Sequence, residues 1–272
     1  MQLSISDLLP YLDCSYRGVT RLREQRWTLP TDAMRLGTAV HTYCQQLLTT
    51  KKPNHDRSWL ARDIAEAAEP LITAADLALA PPPFEVLDVE LPLSYPLSAA
   101  HELVGRLDAV ARHNGQLYSV QWKTLGKGQN LGNFLEKVRM SPHEISYRTM
   151  LRTRGEAVSG TLLGVFRTSL SKAQAADNVP IFEIFPLEST AAEDDAAFED
   201  ITSAAKDLLI GATNVSLAEP RHSRRNWAAC FSIFGACPLV QHCHFGSDVA
   251  SCLPAPLENR YTDLSATGPD GT

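Results

Sequence analysis

The dipeptide Asn114-Gly115 constrains this chain most, because it fixes both a turn and a register. It sits in "LVGRLDAVARHNGQLYSVQWKT", residues 103–124. Asn-Gly favours a two-residue type I′ turn, in which both central residues need positive φ. With that loop, His113 pairs with Gln116, Asp108 lies opposite Gln121, and Arg106 lies opposite Lys123. Opposed residues project on one face with Cβ atoms roughly 5 Å apart. Leu107, Ala109, Tyr118, Val120 and Trp122 fall on the other face, which is apolar. The polar face thus carries an acid, an amide and two opposed cations. Two like charges repel unless an anion separates them, and a phosphate is such an anion. The solvated outer side of an edge hairpin gives the same alternation.

At 272 residues, with 44% hydrophobic and 21% charged content, the chain has the material for one large domain or two small ones. No apolar run approaches the roughly 20 residues of a membrane span, and the start lacks the basic and apolar regions of a signal peptide. A cytoplasmic address is the expectation. The net charge of −6 excludes a polycation, so nucleic-acid binding must rest on local patches or bound metal.

Three cysteines, Cys230, Cys237 and Cys243, cluster in "NWAACFSIFGACPLVQHCHFG". In a cytosolic protein such a cluster reads as metal binding before disulfide, with buried inert thiols as the bland alternative. Three thiolates are one short of a closed site, and Cys14 could supply the fourth. Such a set would clamp the two ends of the chain together. Zinc and an iron–sulphur cluster both accept thiolates, and spacing does not choose between them.

Ser4 or Ser6 can cap a short helix leading to Cys14. Apolar periodicity predicts a helix over about 31–50 and another over about 57–79, stopped by Pro81, Pro82 and Pro83. "FEVLDVELPL" reads as a strand before the hairpin. Residues 131–154 read as helical on both sides of Pro142. "SGTLLGVFRTS" and "PIFEIFPLE" read as strands, and "STAAEDDAAFEDITSAAKDLL" as a long helix. This order gives an α/β arrangement with a mixed sheet.

Four patterns together resemble the PD-(D/E)XK nuclease superfamily, in its RecB-like branch with an iron–sulphur cluster, which includes AddB-type nuclease domains and the exonucleases of CRISPR adaptation. "LGTAVH" resembles the G-x-x-x-H of that branch and offers His41 as a metal ligand. "GRLDAV" resembles its G-x-x-D strand and offers Asp108. "SVQWKT" stands where the family has (D/E)-x-K and offers Gln121 and Lys123. The C-x6-C-P-x4-C run resembles the cluster-binding tail, with Cys14 as the lone upstream ligand. "HEISY" matches the Tyr of a Gln-x-x-x-Tyr motif at Tyr147, with His143 in place of the Gln.

The resemblance implies a restriction-endonuclease-like mixed central sheet flanked by helices, with the termini joined by a cysteine metal cluster. It implies one nuclease domain over 1–250, with 1–30 and 222–250 forming the cluster lobe and 251–272 a partly disordered tail. It implies a metal-dependent DNA nuclease, an exonuclease of recombination, repair or phage DNA processing. Mg²⁺ or Mn²⁺ would be held by His41, Asp108 and Gln121, and Cys14, Cys230, Cys237 and Cys243 would hold a 4Fe-4S cluster. Lys123 would stabilise developing charge, and Tyr147 would position the strand. Arg106, and Arg148 with Arg152 on one helix side, are candidate phosphate contacts; ordinary solvated faces are the alternative for the helical pair. DNA is the expected partner, with a helicase or recombinase beside it and no membrane. The neutral Gln121 keeps a second reading open, that of a catalytically weakened module binding DNA ends.

Overall fold

The computed structural model describes residues 1–213 except Gln25 and, beyond them, Phe231, Ser232, Gly235, Ala236, Cys237, Leu239, Ala255 and Pro256. The chain begins with β1 (Gln2–Ser4), α1 (Ile5–Asp13), α2 (Ser15–Glu24), β2 (Arg26–Trp27), α3 (Asp32–Thr50) and α4 (Arg62–Leu79). The core strands β3 (Glu85–Ser98), β4 (His101–His113) and β5 (Gln116–Leu125) follow. Then come α5 (Leu131–Arg139), α6 (Pro142–Thr153), β6 (Val158–Arg167), α7 (Lys172–Ala176), β7 (Phe182–Glu188) and α8 (Ala191–Thr213). Short pieces close the order: β8 (Phe231–Ser232), β9 (Gly235–Ala236) and β10 (Ala255–Pro256). No helix among the described residues is long and apolar enough to cross a membrane.

Two compact units divide the chain. One comprises Thr31–Tyr95 and Gly105–Phe198; the other comprises Met1–Pro30, Pro96–Val104 and the chain from Glu199 onward.

The first of these is built on the predicted hairpin. Asn114 and Gly115 take φ of 50° and 80°, the positive values a type I′ turn requires. The antiparallel β4–β5 ladder runs from His113↔Gln116 to Ala109↔Val120, in the register the turn dictates. β6 then pairs with β5 in parallel, β7 with β6 antiparallel, and β3 pairs with β4, giving a mixed sheet. Ala109, Tyr118, Val120 and Trp122 are buried against α3 and α4 in the main core. Opposite Trp122 in the register stands Gly164, where a Cβ would lie 2.3 Å from the indole. The other sheet face buries Leu125, Leu163, Val165 and Leu187 with Val138, and Leu131, Phe134 and Leu135 pack against them. Helices therefore cover both faces.

The helix boundaries follow their caps. Thr31 accepts from the Met34 amide at 3.3 Å to start α3. Ser141 caps α6 and Pro142 occupies its first turn, which separates α5 from α6 as the sequence suggests. α4 starts at Arg62, later than the periodicity predicts. Asp56 accepts from the Ser58 amide at 2.8 Å, and the Trp59 indole donates to the Asp56 carbonyl at 3.1 Å. These local bonds compete with a helical turn.

Arg148 is buried and Arg152 half-buried, and both turn to an acid of α8 rather than outward to a phosphate. Arg148 is 1% exposed and donates to Asp194 of α8 at 2.9 and 2.6 Å, to Thr161 at 3.1 Å and to the Arg139 carbonyl at 3.1 Å. Arg152 donates to the same Asp194 at 2.6 Å and to the Val158 carbonyl at 3.0 Å. Helical spacing places both on one side, and that side faces inward. They are a structural clasp, which replaces the expectation that they contact DNA.

In the other unit, β1 pairs in parallel with Glu102–Val104, and Ser4 accepts from the Asp7 amide at 3.1 Å to cap α1. Cys14 is the C-cap of α1 and is buried. Gly18 lets α2 pass close to α1, since a Cβ there would sit 2.4 Å from that of Tyr11. β10 pairs antiparallel with β2, so Ala255 and Pro256 meet Trp27 and Arg26. Cys237 is half-buried. The expected ligands Cys230 and Cys243 lie outside the described residues, as does most of the expected 251–272 tail.

Candidate active site

His41, Asp108, Gln121 and Lys123, four of the residues named from the sequence, lie around the point where the β4–β5 ladder stops. One step beyond Ala109↔Val120, the Trp122 amide donates to Asp108 Oδ2 at 2.9 Å. A carboxylate that takes a main-chain N–H from the neighbouring strand lies between the strands, within reach of a third element. His41 on α3 reaches it, with Nδ1 3.2 Å from Asp108 Oδ2. Gly37, one turn before His41, packs near the Thr124 hydroxyl of β5, so the helix lies close to the strand end.

Burial alone would raise the Asp108 pKa. The His41 imidazole beside it, helped by Lys123 and the Trp122 N–H, outweighs burial and holds the carboxyl below its usual range. Asp108 is an anion at neutral pH. His41 and Lys123 each keep about a third of their side-chain surface exposed, at 32% and 33%, so the site opens to a ligand.

Gln121 and Lys123 share the β5 face that looks toward α6. Gln121 is 3% exposed, and its Nε2 has no hydrogen-bond partner. Lys123 Nζ lies 3.9 Å from Glu144 Oε1 of α6. Glu144 is 0% exposed, and Oε1 lacks a hydrogen-bond donor. Burial, with the Asp108 charge adding to it, pushes the Glu144 carboxyl up to about 6 against the opposing pull of Lys123 and Arg148. Tyr147, one turn along α6, is buried and hydrogen-bonded to the Arg106 backbone. Burial and the charges of Glu144 and Asp108 push its phenol up.

Two acids here were missed in the sequence. Glu144 hides beside the mismatched position 143 of "HEISY". Glu90 sits in mid-strand with φ 56°, an uncommon conformation for a residue with a long side chain. Its carboxylate lies 3.6 Å from Arg106, and burial and then the Asp108 charge raise its pKa. The Arg106 side chain is 70% exposed, unlike those of Arg148 and Arg152.

Among the described residues, no three His, Cys, Asp or Glu side chains are grouped to hold a metal ion. His41 and Asp108 form a pair, so further donors must come from an amide or the backbone. The pair fits a hard divalent cation. An imidazole nitrogen and a carboxylate oxygen 3.2 Å apart are close enough for one cation to take both as donors.

A family model of the PD-(D/E)XK nuclease superfamily matches residues 2–244. No curated protein matches the chain. Among solved structures, a "Putative exonuclease" from Eubacterium rectale is similar in fold, with a TM-score of 0.54 and 11% identity. The match covers 91% of this chain and 88% of that one. The fold and the family match agree on a mixed sheet flanked by helices, and the match spans nearly all of the described chain: this protein belongs to the PD-(D/E)XK nuclease superfamily.

Proposed function

We propose that the protein is a metal-dependent DNA nuclease, an exonuclease acting in recombination, repair or phage DNA processing. One observation carries this reading: the His41–Asp108 pair lies at a strand opening whose next residues are Gln121, Trp122 and Lys123. His41, Asp108, Gln121 and the Trp122 carbonyl would hold Mg²⁺ or Mn²⁺, which when bound would supply a water of lowered pKa and a Lewis acid for the phosphoryl group. The imidazole favours Mn²⁺. Asp108 brings the fixed negative charge. Lys123 stabilises the charge that develops on the phosphate. Tyr147 supports the Arg106 backbone, and the exposed Arg106 guanidinium meets a DNA phosphate.

The same reading gives 1–250 to one nuclease domain with a structural 4Fe-4S cluster on Cys14, Cys230, Cys237 and Cys243. In support, the first and last parts of the chain fall in one unit, β2 pairs with β10, and Cys14 is buried at the end of α1. A helicase or recombinase would present the DNA, in the cytoplasm.

Gln121 favours a second reading, a weakened module that binds DNA ends, because an amide brings no charge to the cation. Digestion of end-labelled single- and double-stranded DNA with Mg²⁺ or Mn²⁺ separates the two. Progressive loss of label from wild type, absent in Asp108→Ala, supports the nuclease. Binding of DNA ends without digestion supports the module.

A further inference from the structure

Among the described residues outside the His41–Asp108 pair, Glu144 is a buried acid with an unsatisfied oxygen, and it lies close to Lys123 of β5. We propose that Glu144, delivered from α6, supplies the negative charge that residue 121 lacks and holds Lys123 in its working position. This rests on the nuclease reading above and assigns the family's missing acid to a different element of the fold.

Geometry carries the assignment. Ser119, Gln121 and Lys123 share one face of β5, since side chains alternate along a strand. Thr161 stands beside Ser119 in the β5–β6 register, and their hydroxyls are 2.8 Å apart. One Glu144 oxygen accepts from Thr161 at 3.4 Å, and the other lies 3.9 Å from Lys123 Nζ. The carboxylate therefore reaches Lys123, which flanks Gln121 on one side, and Thr161, the β6 partner of Ser119, which flanks it on the other. Gln121 Nε2 and Glu144 Oε1 are both buried without hydrogen-bond partners. A buried polar atom without a partner is rare in a native interior, and a ligand or a functional charge is a reason to keep one. Gln121 fills the volume of a glutamate there without its charge, and Glu144 brings the charge without occupying the strand.

Glu144 is a positioning residue, because it is wholly buried and acts through Lys123 and the local field. An acid whose only task is to anchor α6 would serve that task wherever the strand residue's charge lay. An acid that stands in for residue 121 must become dispensable once residue 121 is itself acidic. Moving the charge back therefore separates the two roles.

The test compares wild type, Glu144→Gln, Gln121→Glu and the double variant Gln121→Glu/Glu144→Gln. Two readouts are taken: Mn²⁺ affinity by calorimetry and the cleavage rate on labelled DNA. Glu144→Gln should weaken Mn²⁺ binding and slow cleavage, each at least tenfold. The double variant should regain most of both. Wild-type values in Glu144→Gln would overturn the assignment. So would a double variant as impaired as Glu144→Gln, above all if both melt well below wild type, because Glu144 would then be an anchor only. Rescue of Mn²⁺ affinity in a protein that cleaves no DNA in any form would uphold the charge relocation while overturning the nuclease reading. A wild type that binds no Mn²⁺ would overturn both.

Discussion

Asp108 and Trp122 are joined by a 2.9 Å bond from the Trp122 main-chain N–H to the Asp108 carboxylate, at the point where two strands part. The carboxylate both closes the end of the ladder and faces His41. Its two tasks can be separated. Asp108→Asn keeps an oxygen for the Trp122 amide and removes the charge, so cleavage should be lost with little change in melting temperature. Asp108→Ala also orphans the amide, which costs about 1–3 kcal/mol and should appear in denaturant unfolding. Cleavage by Asp108→Asn at the wild-type rate would remove this carboxylate from the chemistry.

Glu144 gives a pH dependence of known sign. Its carboxyl moves from 4.5 to about 6 in the fold, chiefly because it is buried. The neutral carboxyl thus contributes stability that is present below about 4.5 and lost as pH rises to about 6, on the order of 2 kcal/mol. Glu144→Gln should flatten that stretch of the stability curve. Cleavage should move the opposite way and fall as pH drops below about 6, because the ionised form is the one that holds Lys123.

Removing Asp194 should unfold rather than inactivate. Asp194→Ala leaves two guanidiniums without their anion, one of them 1% exposed, and a broken buried pair costs about 3–5 kcal/mol. The melting temperature should fall steeply, while the folded fraction cleaves DNA at an ordinary rate. An unchanged melting temperature would show that the clasp contributes nothing.

The arginines should differ in their salt response. Arg106→Ala should weaken DNA binding and reduce the slope of log affinity against log salt by about 1. Arg152→Ala should leave the slope alone and lower stability instead. Equal slopes for wild type and Arg106→Ala would withdraw the phosphate contact.

Protein purified without oxygen should be brown and carry about four irons per chain. Cys14→Ala should bleach it and lower its melting temperature. A colourless protein with one zinc would replace the cluster and keep the clamp.

The hairpin was legible because Asn114-Gly115 carries its own φ requirement, and one turn type fixes every pair back to Ala109↔Val120. Helix starts were legible where a capping hydroxyl precedes the run, as at Thr31 and Ser141. β1 was not, because three residues show no period and its strand partner lies about a hundred residues on. Arg148 and Arg152 illustrate a general limit: their spacing places both on one helix side and says nothing of which side is buried. That depends on Asp194, 42 residues or more away in the chain. Glu144 needed the register of β6, which brings Thr161 beside Ser119. Glu90 needed a backbone conformation that no side-chain pattern signals.

The pairing of β10 with β2 has a consequence for how the protein is made. A growing chain emerges from its N-terminus, so Arg26 and Trp27 must wait for Ala255 and Pro256 before that small sheet can form. The unit that bears His41, Asp108, Lys123 and Glu144 ends at Phe198 and has all its residues well before then. A ribosome stalled late in synthesis should therefore hold a nascent chain in which the unit bearing His41 and Asp108 already resists protease while the stretch around Arg26 and Trp27 remains cleavable.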